Sequence, residues 1–265
     1  MKNLIIIIAV VLIATFASGF YSFHTDGDVA TTTTETITSS RIEIFTFISN
    51  GEAKKGKIFL PASYETNKNL PTIYLIDFTE QHFKLATDEF EKVINGVKQI
   101  EGIDALVVSL EDIPDIDAEP EAFQDHYEIY KNMVSYVDGR YTINASRTFI
   151  GKGSEGGLVL MALFVSDSET SIFKNFIVTD PSPLYSSAII KLIEDEDFPK
   201  DKLNNELHFS FSTSNNRSLC TKLINLIKEA QYPWLQFESI EYTNSNYENT
   251  YPVSYAAGLK YVFNK

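Results

Sequence analysis

Residues 147–158 read R-T-F-I-G-K-G-S-E-G-G-L and set a serine, Ser154, among glycines. In a nucleophile elbow, G-x-S-x-G, small residues flank the serine because its backbone is forced into a tight strand-to-helix turn where side chains would collide. Ser154 has Gly153 directly before it, Glu155 after it and Gly156 one position further on. Two positions before it stands Lys152, where the pattern has glycine. The chemistry on offer is acyl transfer from an ester, and it needs a base, because a serine hydroxyl alone is a poor nucleophile at neutral pH. The same run also fits a turn without chemistry, since glycines there let a helix pack closely or present backbone N–H groups.

The other chemistry-bearing residues form weaker patterns. The four histidines are His24, His82, His126 and His208, and no two of them have the spacing of metal ligands on a helix or hairpin. His82 and His126, with Glu80 and Asp125 nearby, read as solvated helix histidines. Glu111 to Glu128 holds eight acids and no Lys or Arg, but its D-I-P-D-I-D core lacks the glycine and terminal glutamate of a calcium loop and reads as a solvated segment. No metal and no cofactor are expected. A single cysteine, Cys220, excludes an intramolecular disulfide and a cysteine zinc cluster. With 22 Lys and Arg against 36 Asp and Glu the net charge is -14, which makes nucleic acid a poor partner.

The elements that must position Ser154 follow from periodicity. Arg41 to Ser49 alternates polar and apolar residues, and Lys57 to Leu60 follows a glycine-containing turn, so the domain opens on an antiparallel strand pair. Thr72 to Ile76, Ala105 to Leu110, Arg147 to Ile150, Phe176 to Thr179, Leu207 to Phe211 and Leu235 to Tyr242 read as further strands. Helical spacing appears over Phe83 to Ile100, Ala122 to Val137, Leu158 to Val165, Ser218 to Ala230 and Ser254 to Phe263. Strands separated by helix-length segments predict a mostly parallel sheet covered on both faces, an α/β three-layer sandwich over residues 41–265.

Residues 1–19 read as an export signal: Lys2, an apolar run from Leu4 to Phe16, then Ala17, Ser18 and Gly19. An uncleaved membrane anchor is the alternative, although the run is shorter than the roughly 20 residues that span a bilayer comfortably. Residues 20–40, with A-T-T-T-T-E-T-I-T-S-S at their end, read as a linker. A periplasmic or secreted bacterial protein is expected.

The order of these pieces resembles the esterase family of α/β-hydrolases that includes esterase D and enterochelin esterase. The resemblance rests on Leu60, Pro61 and Tyr64, then Leu70, Pro71, Tyr74, Leu75, Ile76 and Asp77, then Phe123, Tyr127, Tyr136, Val137, Asp138 and Tyr141. It continues through F-I-V-T-D-P-S-P-L at Phe176 to Leu184 and A-A-G-L-K-Y-V-F at Ala256 to Phe263. It implies an α/β-hydrolase-like sandwich with Ser154 as nucleophile, an oxyanion site built by the elbow residues Gly153, Glu155 and Gly156 together with Phe78, and a histidine and an acid in later loops.

Those two partners are missing from their expected places. Only His208 follows Ser154, and it lies inside the strand L-H-F-S-F. In the late loop Thr243 to Pro252 the histidine is replaced by Asn246, Tyr247, Glu248 or Asn249, and no Asp occurs beyond Asp201. Phe78 follows Asp77 where the family has glycine, and Glu238 and Glu241 lie on the last strand. The leading expectation is therefore a catalytically degenerate member that binds a small molecule, a carbohydrate or a protein partner, with Tyr247 and Tyr251 lining the cleft. The alternative is a serine esterase of small or carbohydrate-linked esters, with Glu248 as the base for Ser154.

Overall fold

In a computed structural model of the chain the described residues are 39–76, 88–110 and 120–264. The export signal, nearly all of the linker, Asp77, Phe78, His24, His82 and the first part of the acidic run lie outside them.

The domain opens on β1 (Arg41–Ser49) and β2 (Glu52–Leu60), joined by Asn50 and Gly51 at φ 53° and 80°. Left-handed backbone at both turn residues matches the right-handed twist of the two strands, and Asn-Gly is the pair that adopts it most readily. Because the turn is this tight, β2 begins at Glu52 rather than Lys57, with Ile48 opposite Ala53. The remaining strands are β3 (Thr72–Leu75), β4 (Leu106–Leu110), β5 (Arg147–Lys152), β6 (Asn175–Thr179), β7 (Asn205–Ser212) and β8 (Leu235–Tyr242). They form one eight-stranded sheet in the order β1-β2-β4-β3-β5-β6-β7-β8, parallel from β4 onward. β2 is antiparallel to both β1 and β4. This is the expected α/β-hydrolase-like three-layer sandwich.

The helices are α1 (Asp88–Lys98), α2 (Phe123–Asp138), α3 (Gly153–Val165), α4 (Pro183–Glu194), α5 (Arg217–Ala230) and α6 (Tyr247–Phe263). Alternation along the strands sends one set of side chains to each face. Phe149, Phe176 and Phe209 pack with Tyr130, Leu160, Ile189 and Leu223 from α2 to α5, whereas Ile73, Ile150 and Ile177 pack with Phe90, Val93, Tyr255 and Leu259 from α1 and α6. Helix α3 is apolar on all sides and almost entirely buried, so the segment after Ser154 is held firmly from every direction.

Three expectations change here. Helix α4 was not anticipated, although Ser182 at its N-cap, Pro183 at its first position and Tyr185, Ile189, Ile190 and Ile193 on its buried face are helix signals. Helix α6 starts at Tyr247, so most of the expected late loop is helical: Asn246 Oδ1 accepts from the backbone N–H of Glu248 and Asn249 at 3.0 and 3.1 Å, and Asn249 returns the bond. His126 is on the buried face of α2 rather than solvated, and burial, against the opposing pull of Asp125, pushes its pKa down to about 4.

Candidate functional site

The turn from β5 into α3 forms where the sequence places it. Its left-handed residue is Gly153, at φ +61°, and Ser154 follows as the second residue of α3 with an ordinary negative φ. In a nucleophile elbow the reactive residue holds the strained turn conformation. Here that seat belongs to Gly153, one position before the serine. With the register set this way the glycine two positions before the seat is Gly151. A Cβ on Gly151 would lie 2.9 Å from the Glu155 carbonyl carbon, and one on Gly156 would lie 3.0 Å from the carbonyl oxygens of Gly151 and Thr179. Counted from Gly153 the pattern has its first glycine at Gly151, while Glu155 stands two positions after the seat and Gly156 three.

A Cβ on Gly153 would collide with the Tyr247 phenolic oxygen. Tyr247 is the first residue of α6, on the turn after β8, so its hydroxyl fills the space that a serine side chain at the seat would take. Glu248, the candidate base, is exposed in the first turn of α6, and the residue of that turn that reaches the elbow is Tyr247. The Tyr247 phenol is pushed up to about 12 by burial and then by the Glu155, Glu89 and Asp180 carboxylates, so it stays protonated at neutral pH. Glu155 is buried and its carboxylate also acts on Tyr185, raised to about 12 mainly by burial.

On the α1 side of the elbow Lys152 Nζ meets Glu89 Oε1 at 2.7 Å and lies 4.2 Å from the Tyr251 ring centre and 5.4 Å from that of Tyr247. Glu89 Oε2 accepts from the Tyr255 hydroxyl at 2.9 Å, and the Tyr251 hydroxyl donates to Asp88. The lysine that departs from the pattern therefore anchors α1 and α6 to the elbow.

On the other side lies an acid that the sequence pattern did not single out. Asp180, directly after β6, is buried at φ +45°. Its Oδ1 accepts from Ser212 N at 2.6 Å, Ser212 Oγ at 3.0 Å and Asn215 Nδ2 at 3.2 Å, while its buried Oδ2 has no hydrogen-bond partner. The Ser182 N–H donates to the Gly153 carbonyl at 2.9 Å, tying this segment to the elbow. Asp180 stands directly after β6, the strand next to the elbow's own, in the run T-D-P-S-P. The available signal was an aspartate at the end of an apolar strand, beside the elbow's strand.

His208 is remote from this constellation in its bonding. It sits inside β7, its Nδ1 3.0 Å from Glu238 Oε2 and its ring against Gly258 of α6. Burial lowers its pKa, with Glu238 opposing. Among the described residues no group of His, Cys, Asp and Glu is arranged to hold a metal ion. Seat, phenol, acid and helix N-terminus stand together at the carboxyl edge of the sheet, where open α/β sheets bind ligands.

No protein-family model matches the chain, and no curated protein matches it in sequence. Solved structures do match it in fold. An IroE-like serine hydrolase from Shewanella oneidensis superposes with a TM-score of 0.68 at 14% identity, covering 84% of this chain and 80% of the other. The siderophore hydrolase EstA from Aspergillus nidulans gives 0.63 at 13%, covering 84% and 94%. A feruloyl esterase module from Clostridium thermocellum complexed with sinapinate gives 0.57 at 13%, covering 84% and 88%. The chain has the fold of esterase-like α/β-hydrolases.

Proposed function

We propose that this is a hydrolysis-silent protein on an esterase frame, which uses the carboxyl edge of its sheet as a binding or interaction surface. One observation carries the reading: the phenolic oxygen of Tyr247 occupies the space at Gly153 where an elbow nucleophile would stand. Ser154 lies one residue into α3 rather than on the seat, and without a base its hydroxyl attacks an ester poorly. The occupant is a small molecule, a carbohydrate or a protein partner.

The reading includes export, supported by the order Lys2, apolar run, Ala17-Ser18-Gly19. N-terminal sequencing of the native protein finding residue 20 first supports it, and an intact Met1 in a cytosolic fraction overturns it. Among the described residues no helix is long and apolar enough to cross a membrane.

The functional test is direct. Purified protein is offered p-nitrophenyl acetate and a fluorophosphonate probe, and neither turnover nor labelling exceeds that of an ordinary surface serine. Rapid stoichiometric labelling of Ser154, lost in Ser154→Ala, overturns this reading in favour of a serine esterase with an unusual base such as Glu248.

A further inference from the structure

A closed chain of contacts surrounds the seat. Gly153 is bonded to Ser182 through its carbonyl, and two residues earlier Asp180 holds Ser212. Ser212 Oγ lies 3.3 Å from Ser214 Oγ, which donates to the Ser245 carbonyl at 3.5 Å, two residues before Tyr247. Tyr247 returns to Gly153. On the segment that closes this ring, two buried polar atoms have no partner: Asp180 Oδ2 and Ser182 Oγ.

A buried acceptor left open costs folding free energy, and such a group in a native protein calls for a partner such as a water, an ion or a ligand. Asp180 combines it with left-handed backbone, which a non-glycine residue adopts at a cost. An open carboxylate oxygen and, two residues further along the chain, an open hydroxyl call for a ligand that can donate hydrogen bonds. The carboxylates of Glu155, Glu89 and Asp180, from three different segments, all act on the Tyr247 phenol, while the Lys152 ammonium beside its ring is already bonded to Glu89. The chain as a whole carries -14. Both features select a cation over a neutral alcohol and exclude an anion.

Resting on the binding reading above, we propose that this ring is a site for an organic ammonium ion. Its N–H groups meet Asp180 Oδ2 and Ser182 Oγ, and its carbon frame lies on the Tyr247 ring. Carboxylate and aromatic face together are the means by which proteins hold alkylammonium groups. Tyr247 is 41% exposed and heads its helix, so its ring can be reached from solvent.

Calorimetry on the full chain at low salt tests this with n-butylammonium, 1-butanol and butyrate as probes. Saturable binding of the ammonium is expected, about tenfold or more tighter than the alcohol, with none for butyrate. Asp180→Asn keeps the shape and an acceptor for Ser212, and loses about tenfold in affinity. If that variant does not fold, Ser182→Ala reads the same site and also weakens binding. No saturable ammonium binding, equal binding of the alcohol, or unchanged affinity in the folded variants overturns the proposal. Ester hydrolysis by the unmodified protein would instead sink the hydrolysis-silent reading and leave these titrations standing.

Discussion

The hydroxyl of Tyr247 stands in the space that any side chain on Gly153 would enter. These residues are far apart in sequence and belong to the turns after β5 and β8. The residue on the seat is a glycine, and the turn after β8 supplies a phenol to the space beside it.

Gly153→Ala is expected to destabilise the protein by about 2–4 kcal/mol, from left-handed backbone and from collision with the phenol. Tyr247→Ala in the same background removes only the collision and recovers about 1–3 kcal/mol. A double-mutant cycle by urea denaturation separates the two, and additive effects would show that the side chains do not meet.

Gly153→Ser combined with Tyr247→His places a nucleophile on the seat and an imidazole on the late turn, within the neighbourhood of Asp180. The double variant should hydrolyse p-nitrophenyl acetate at least about tenfold faster than the parent, and Asp180→Asn should remove the gain. A double variant that folds but gains nothing argues against Asp180 as the orienting acid.

Ser154→Ala should change stability by less than about 1 kcal/mol, because the side chain is small, partly exposed and one residue beyond the strained position. A larger loss on thermal unfolding would reveal a structural role for the hydroxyl.

Lys152→Met should cost about 3 kcal/mol, since it leaves Glu89 buried without its cation. Glu89→Gln added to it should return part of the loss, which denaturation of the three variants would measure.

Stability should fall on acidification before the carboxylates titrate. His126 and His208 both have folded pKa values below the ordinary 6.5, His126 at about 4, with burial the leading cause in each. The unfolded chain therefore binds protons first. The stabilisation is complete above about pH 6.5 and is lost as pH falls toward the folded values, at up to about 1.4 kcal/mol per pH unit for each group. Denaturant melts at neutral and mildly acidic pH check this, and His126→Phe should flatten the slope if it folds.

The amino-acid sequence determined the layered fold because its signals are local. Alternation in Arg41 to Ser49, the Asn50-Gly51 turn, apolar runs such as Leu106 to Leu110, and helical spacing in α2 and α5 each specify an element by themselves. It also located the elbow, since glycines at 151, 153, 156 and 157 announce close backbone approach. The tertiary structure alone decided the register of that elbow. Whether Gly153 or Ser154 holds the left-handed turn depends on how β5 meets α3 and which carbonyls Gly151 and Gly156 approach. It also brought Asp180, Ser182 and Tyr247 to the elbow, from the ends of β6 and β8. No spacing rule links such residues, because a parallel sheet sets its neighbours through long crossovers and the side chains that meet at its carboxyl edge are chosen by strand order.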